Sequence, residues 1–175
     1  MMAFSITTQR LIITTFLPSM AKDVHLNSLD EETRQFNADE VFDTEQDALD
    51  TITFLISCYA HQEGPFVYPI LLHSGENIGY VQAVPIDDAW EVGYHIAKDY
   101  RGKGYATEAL TVFAPHIMIA LNITEIWGIC HKDNIASHRV LGKAGFSLHD
   151  HGQGEYKDHT QEIYKYLLKQ QKPSK

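Results

Sequence analysis

From Tyr100 to Ala109 the chain reads Tyr-Arg-Gly-Lys-Gly-Tyr-Ala-Thr-Glu-Ala. Two glycines and two cations separate an apolar run suited to a strand (Val92 to Ala97) from one suited to a helix (Ala106 to Leu121). A loop turning from strand into helix gathers unpaired backbone N–H groups at one point, and the helix dipole adds partial positive charge there. The stretch suits a phosphate or pyrophosphate. Gly102 and Gly104 allow an anion close to the backbone, and Arg101 and Lys103 add charge. Any fold this chain adopts has to present that turn at a strand–helix junction.

The flanking sequence supplies the elements. Leu11 to Phe16 is β-branched and apolar, a first strand ended by Pro18. Ser19 is a candidate cap for a short helix with Ala21, Val24 and Leu29 on its apolar face. Asp30 to Asp43 is polar and nearly aperiodic. Thr44 is an N-cap candidate, with Glu45 and Asp47 in the first turn, for a helix whose stripe is Ala48, Leu49, Ile52, Leu55, Ile56 and Tyr59. Gly64-Pro65 ends it. Three strands follow through short turns, at Phe66 to Leu72, Ile78 to Val84 and Trp90 to Ala97, which predicts an antiparallel meander. Pro69 removes a ladder donor and implies an edge or a bulge.

After the glycine loop comes a helix on Ala106, Ala109, Leu110, Phe113, Ile117 and Leu121, in which Pro115 predicts a kink or an early break beyond the first two turns. Ile123 to Cys130 is a strand able to run parallel to its predecessor. Asn134 begins a short helix through Val140 and Leu141 that Gly145 closes in a left-handed conformation. Phe146 to His149 and Ile163 to Leu168 are two last strands, and a polar, frayed tail runs from Lys169. The result is a single α+β domain over residues 1–175, with a mixed, mostly antiparallel sheet of about seven strands and helices on both faces.

Composition narrows the function. Net charge is −9, which argues against nucleic-acid binding. No apolar run reaches membrane-spanning length and the N-terminus lacks a signal-peptide layout, so we expect a cytoplasmic, soluble protein with no membrane partner. Cys58 and Cys130 have no metal or redox spacing and read as buried thiols. His149 and His151 fall on one face of a strand with no third ligand in view, so no metal is expected.

The glycine loop is neither a nucleotriphosphate loop, because Gly104 follows Gly102-Lys103 where Ser or Thr is needed, nor a dinucleotide fingerprint, because position 107 is threonine. A kinase or dehydrogenase is therefore disfavoured. Arg101-Gly102-Lys103-Gly104-Tyr105-Ala106 does match Arg/Gln-x-x-Gly-x-Gly/Ala, and resembles the acetyl-CoA pyrophosphate loop of the GCN5-related N-acetyltransferases, the GNAT superfamily. Glu91 to Ile96 precedes the loop as in that family. Asn134-Ile135-Ala136-Ser137 through Gly142-Lys143-Ala144-Gly145-Phe146 resembles the branch containing the ribosomal-protein N-terminal acetyltransferases.

The resemblance implies a splayed parallel strand pair holding the cofactor, and transfer of acetyl from acetyl-CoA to a primary amine by direct attack. It places the pantetheine arm against Tyr94, His95 and Ile96. The pyrophosphate falls on Arg101, Gly102, Lys103, Gly104, Tyr105, Ala106 and Thr107. The thiol end falls by Asn134 and Ser137, Ser137 being the donor to the departing sulfur. Such chemistry needs a base for the amine and a donor for the carbonyl oxygen. Glu91 is the candidate base, sharing a strand face with Gly93 and His95; its bland reading is an exposed strand-end glutamate. Gly93 is a candidate bulge or close-approach site. The bland reading of Asn134 is an N-cap, of Ser137 an exposed helix serine, and of His95 a structural histidine. Tyr68, Tyr80 and Tyr164 are candidates for the acceptor pocket. The acceptor is a protein or peptide N-terminus or a small-molecule amine, and the protein a monomer or homodimer. The competing reading is a non-catalytic acyl-CoA-binding or sensing protein on the same fold.

Overall fold

A computed structural model describes residues 4–61 and 63–170. One mixed sheet of eight strands organises it: β1 (Ser5–Thr7), β2 (Leu11–Thr14), β3 (Phe66–Leu72), β4 (Asn77–Ile86), β5 (Ala89–Ile96), β6 (Glu125–His131), β7 (Ser147–Tyr156) and β8 (His159–Lys169). Their spatial order is β1-β2-β3-β4-β5-β6-β8-β7, and every pair is antiparallel except β5–β6. The extra strand relative to the sequence reading is the three-residue β1, too short to leave a periodic signal.

Among the described residues, five α-helices accompany the sheet. On one side α1 (Ala21–Asn27) and α3 (Glu45–Cys58) bury Ala21, Val24, Ala48, Ile52 and Leu55 against Val67. On the other, α4 (Tyr105–Ala120) and α5 (Ile135–Lys143) bury Leu110, Phe113, Ile117 and Leu141 against Tyr68, Ile70, Val81, Val92 and Ile126. Such burial stabilises by about 1.5–3 kcal/mol per large side chain. The last helix, α2 (Glu31–Phe36), lies in the segment with no readable period.

Local chemistry explains the boundaries. Thr44 caps α3 in a reciprocal box with Asp47, each side chain bonding the other's backbone N–H. Asn134 caps α5 by accepting from the Ser137 N–H, and Gly145 beyond it has φ 93°. Ser19 does not cap: it lies in a single 3-10 turn, Pro18–Met20, and Met20 precedes α1 with no side-chain bond. Pro115 does not end α4, which runs on to Ala120. Pro69 lies on an interior strand. The β2 ladder stops at Ile13–Ile70, one residue short of it, and the register with β4 shifts between Ile70 and Leu71.

The last two strands are longer than the sequence reading, because β7 is exposed along most of its length and offers little apolar alternation. A register shift between Leu148 and Asp150 breaks the expected histidine face. His149 packs edge-on against Trp127, whereas His151 stacks on Tyr164 on the α5 side of the sheet. Lys169 ends β8 opposite Glu125 rather than beginning a tail, and the remainder of the expected tail, 171–175, lies outside the described residues.

Candidate functional site

The parallel pair is short. β5 and β6 are joined only at Glu91–Trp127 and Val92–Gly128, after which they diverge. From Gly93 to Ile96, β5 keeps its ladder to β4 and has an open edge toward β6. Gly93 is not a bulge, since the β4–β5 register runs through it; it is a close approach, where a Cβ would meet the Gln82 side chain.

Two clefts meet over this opening. A donor-side cleft of about 480 Å³ runs past Tyr94, His95, Ile96, Arg101, Gly102, Gly104, Tyr105, Ala106, Thr107, Asn134 and Ser137. A larger one of about 950 Å³ holds Glu91. Phe36, Asn37, Tyr94, Asn134 and Ser137 line both. The residues expected from the sequence are thus brought together, with the exception of Lys103. Its Nζ donates to the Asp99 carbonyl, and its own carbonyl accepts from Arg10.

Around the loop, Gly102 and Gly104 have φ of 72° and 82°, and Gly104 is the N-cap of α4. This left-handed backbone, with open space where a Gly102 Cβ would be, makes a concave set of N–H groups at the helix start. Arg101 is not a free cation at this cradle. Its guanidinium pairs with both Asp30 carboxylate oxygens and with Glu32, and its Nε donates to the Ile96 carbonyl. The cleft wall also carries Arg139 and Lys143 of α5, cations with no ion pair among the described residues, which sequence reasoning missed. Their four-residue spacing on the face carrying Ala136 and Val140 was the available signal.

Glu91, Gly93 and His95 do share a face. Tyr80 stacks on His95, and Gln82 covers Gly93. Glu91 is 7% exposed and accepts from the Tyr156 hydroxyl at 2.9 Å. Burial pushes its carboxyl up to about 7, against the opposing pull of the Tyr156 bond, the Lys157 charge and the Ile129 N–H. Glu40 stands on the same side, bonded by Tyr80 and Gln82, and burial raises it too. His95 is structural. Its Nε2 meets Thr33 Oγ1 at 2.9 Å, and burial together with the Arg101 charge lowers it to about 4.

At the junction of the clefts the Tyr94 hydroxyl donates to Ser137 Oγ at 2.9 Å. Only the backbone of Tyr94 figured in the sequence reading; its hydroxyl is the added element, and burial holds it protonated well above the ordinary tyrosine value. Asn134 uses Oδ1 as the cap, and its amide nitrogen has no partner among the described residues. Cys130 is a buried thiol pushed up to about 12 by burial and by Glu91, which suits no nucleophile. Tyr68 stacks in the core, Tyr80 supports Glu40 and Tyr164 stacks on His151, so the tyrosines that reach the clefts are Tyr94, Tyr100, Tyr105 and Tyr156. Among the described residues no cluster of three or more His, Cys, Asp or Glu is placed to hold a metal, and no helix is long and apolar enough to cross a membrane.

The arrangement matches known proteins. A family profile described as an acetyltransferase (GNAT) domain matches residues 10–147. YnaD of Bacillus subtilis (strain 168), an uncharacterized N-acetyltransferase, is 27% identical over 143 residues, 80% of this chain and 81% of its own. Among solved structures, a GNAT-family acetyltransferase from Bacillus anthracis superposes with a TM-score of 0.81 at 20% identity, covering 95% of this chain and 98% of that one. A ribosomal L7/L12 alpha-N-protein acetyltransferase in complex with coenzyme A gives 0.79 at 20% identity with the same coverage.

Proposed function

The chain belongs to the GNAT family of acetyltransferases, and from that membership we propose that it moves an acetyl group from acetyl-CoA to a primary amine by direct attack. The observation that carries the reading is the meeting of the two clefts at Tyr94 and Ser137, with the glycine cradle at one end and the buried Glu91 at the other.

Bound acetyl-CoA supplies an acetyl group activated as a thioester. The open edge of β5 fits a pantetheine arm, since its backbone groups lack strand partners there. The N–H groups from Gly102 to Thr107, with Arg139 and Lys143, suit the phosphates. Arg101 contributes by holding the loop, its charge being already matched by Asp30 and Glu32. Glu91, titrating near neutrality, takes a proton from the acceptor's ammonium so that the nitrogen attacks neutral. A backbone N–H of residues 94–96 polarises the acetyl oxygen. Because Tyr94 donates to Ser137, the serine's own hydrogen is left to meet the departing sulfur.

The acceptor is a small amine or a slender, unfolded N-terminus. Lys157 bridges the acceptor side from the β7–β8 tip to Phe36 and Asn37, which roofs it. The test is thiol release from acetyl-CoA across simple amines, polyamines, aminoglycosides and peptides with free N-termini. Turnover with one class identifies the acceptor. Coenzyme A binding without turnover on any amine replaces the enzyme with an acyl-CoA sensor, and absence of both overturns the reading.

A further inference from the structure

The tip of the β7–β8 hairpin is an unusual turn. Tyr156 pairs with His159, and the two residues between, Lys157 and Asp158, have φ of 51° and 62°. Positive φ at both central positions is the type I′ geometry, which favours Asn-Gly or Asp-Gly because a Cβ there crowds the following carbonyl oxygen. A lysine in that position is therefore retained at a cost, and its side chain shows where it is used. Lys157 Nζ donates to Asn37 Oδ1 at 2.7 Å and to the Phe36 carbonyl at 3.3 Å, and lies 3.6 Å from Asp39. These partners are the last residue of α2 and the segment that follows it, across the cleft from the hairpin. The residue immediately before the lysine is Tyr156, whose hydroxyl is on Glu91 and within 3.3 Å of the Ile129 carbonyl.

We propose that Lys157 is a positioning residue: by tying the hairpin tip to the segment after α2, it holds the Tyr156 hydroxyl on Glu91 and fixes the carboxylate at the point where β5 and β6 part. The proposal rests on the reading of Glu91 as the base. Adjacent residues on a tight turn move together, so a tip free of Asn37 carries Tyr156 with it. Charge adds to position. The cleft around Glu91 is also lined by His131 of β6, Glu155 of β7, His159 and Lys165 of β8, Asp158 of the tip, Asp39 after α2 and Asp87 after β4. The titratable groups that act on Glu91 or respond to it, however, are Tyr156 from β7, Lys157 from the tip, Cys130 from β6 and Glu40 from the segment after α2. Of these acting groups Lys157 alone is cationic, while Glu40 opposes ionisation. β4 presents Gln82 and Val84 to the same cleft, neither of them titratable.

The informative substitution is Lys157→Asn. Asparagine tolerates the left-handed backbone, so the turn keeps or gains stability, yet it is too short for the bridge and carries no charge. With acetyl-CoA and the fastest amine of the panel, we expect an unchanged or higher Tm. The acid limb of kcat should move up by about 0.5–1 pH unit, roughly three- to tenfold less turnover on the acid side. Lys157→Arg should restore the limb. Asn37→Ala combined with Lys157→Asn should lose no more than Lys157→Asn alone, as expected of two halves of one contact. An unmoved limb, or a loss confined to KM, overturns the proposal. Glu91→Gln separates this failure from that of the underlying reading: if it keeps the wild-type limb, Glu91 is not the base and the proposal falls with it. If it abolishes the limb while Lys157→Asn leaves kcat untouched, the base stands and the positioning role does not.

Discussion

Arg101 and Asp30, 71 residues apart, face each other in a two-pronged pair, NH1 to Oδ1 at 2.8 Å and NH2 to Oδ2 at 3.0 Å. The same aspartate caps α2 by accepting from the Glu32 and Thr33 N–H groups. One carboxylate thus fastens the glycine loop to the helix that walls both clefts.

Asp30→Ala should therefore cost about 2–3 kcal/mol, combining a lost cap with a lost charged pair. Burial works to raise the Asp30 pKa, but the Arg101 and Thr33 bonds outweigh it and hold the carboxyl well below the usual range. A depressed folded-state pKa stabilises the fold above the unfolded value, near 3.9, and the contribution fades as pH falls below it. Urea denaturation should show Asp30→Asn, which retains a cap, less stable than wild type at pH 7 and converging with it on acidification.

Glu91→Gln tests the base directly. With the carboxyl at about 7, wild-type turnover should climb through neutrality as the proton leaves. The variant should lose roughly 10²-fold or more at pH 7. At high pH, where the amine is already neutral in solution, the gap should narrow. A deficit of equal size at every pH would remove Glu91 from that role.

Ser137→Ala should lower kcat more than KM, by roughly tenfold, and Tyr94→Phe by less, because the serine retains its own hydrogen. The double variant should resemble Ser137→Ala, since the tyrosine acts through the serine. Steady-state rates of the three variants decide this, and additive losses would show two independent donors.

Gly104→Ala places a Cβ at φ 82°, with the Arg10 guanidinium 3.4 Å away. We expect about 1–2 kcal/mol of destabilisation. A thermal-shift titration with coenzyme A should also show a weaker ligand-induced rise in Tm than wild type.

What the sequence disclosed follows from how local each feature is. The Thr44–Asp47 box, the Asn134 cap and the three-strand meander are set within a few residues, and they stand where the pattern put them. Helix α2 is hidden in the sequence because it is six residues long and buries only Thr33; beyond the Asp30 cap, its support comes from Arg101, far along the chain. The same distance misled the reading of Arg101, whose type and position suited a phosphate but whose charge is spent within the protein. Tyr156 lies beyond Phe146 to His149, the apolar stretch that reads as a strand, and on a part of β7 with little apolar pattern, so its place on Glu91 has no local signal.

The parting of β5 from β6 also bears on how the protein stays apart from its own copies. Unpaired strand edges at a sheet's rim invite a neighbouring chain to add its own strand, which is a route to aggregation. Here an open edge lies in the middle of the sheet, flanked by α5 and overhung by the segment after α2 and the hairpin tip. Cover of that kind hinders a second sheet more than it hinders a ligand one chain wide, so this edge is better shielded from other copies of the protein than an edge at the rim would be.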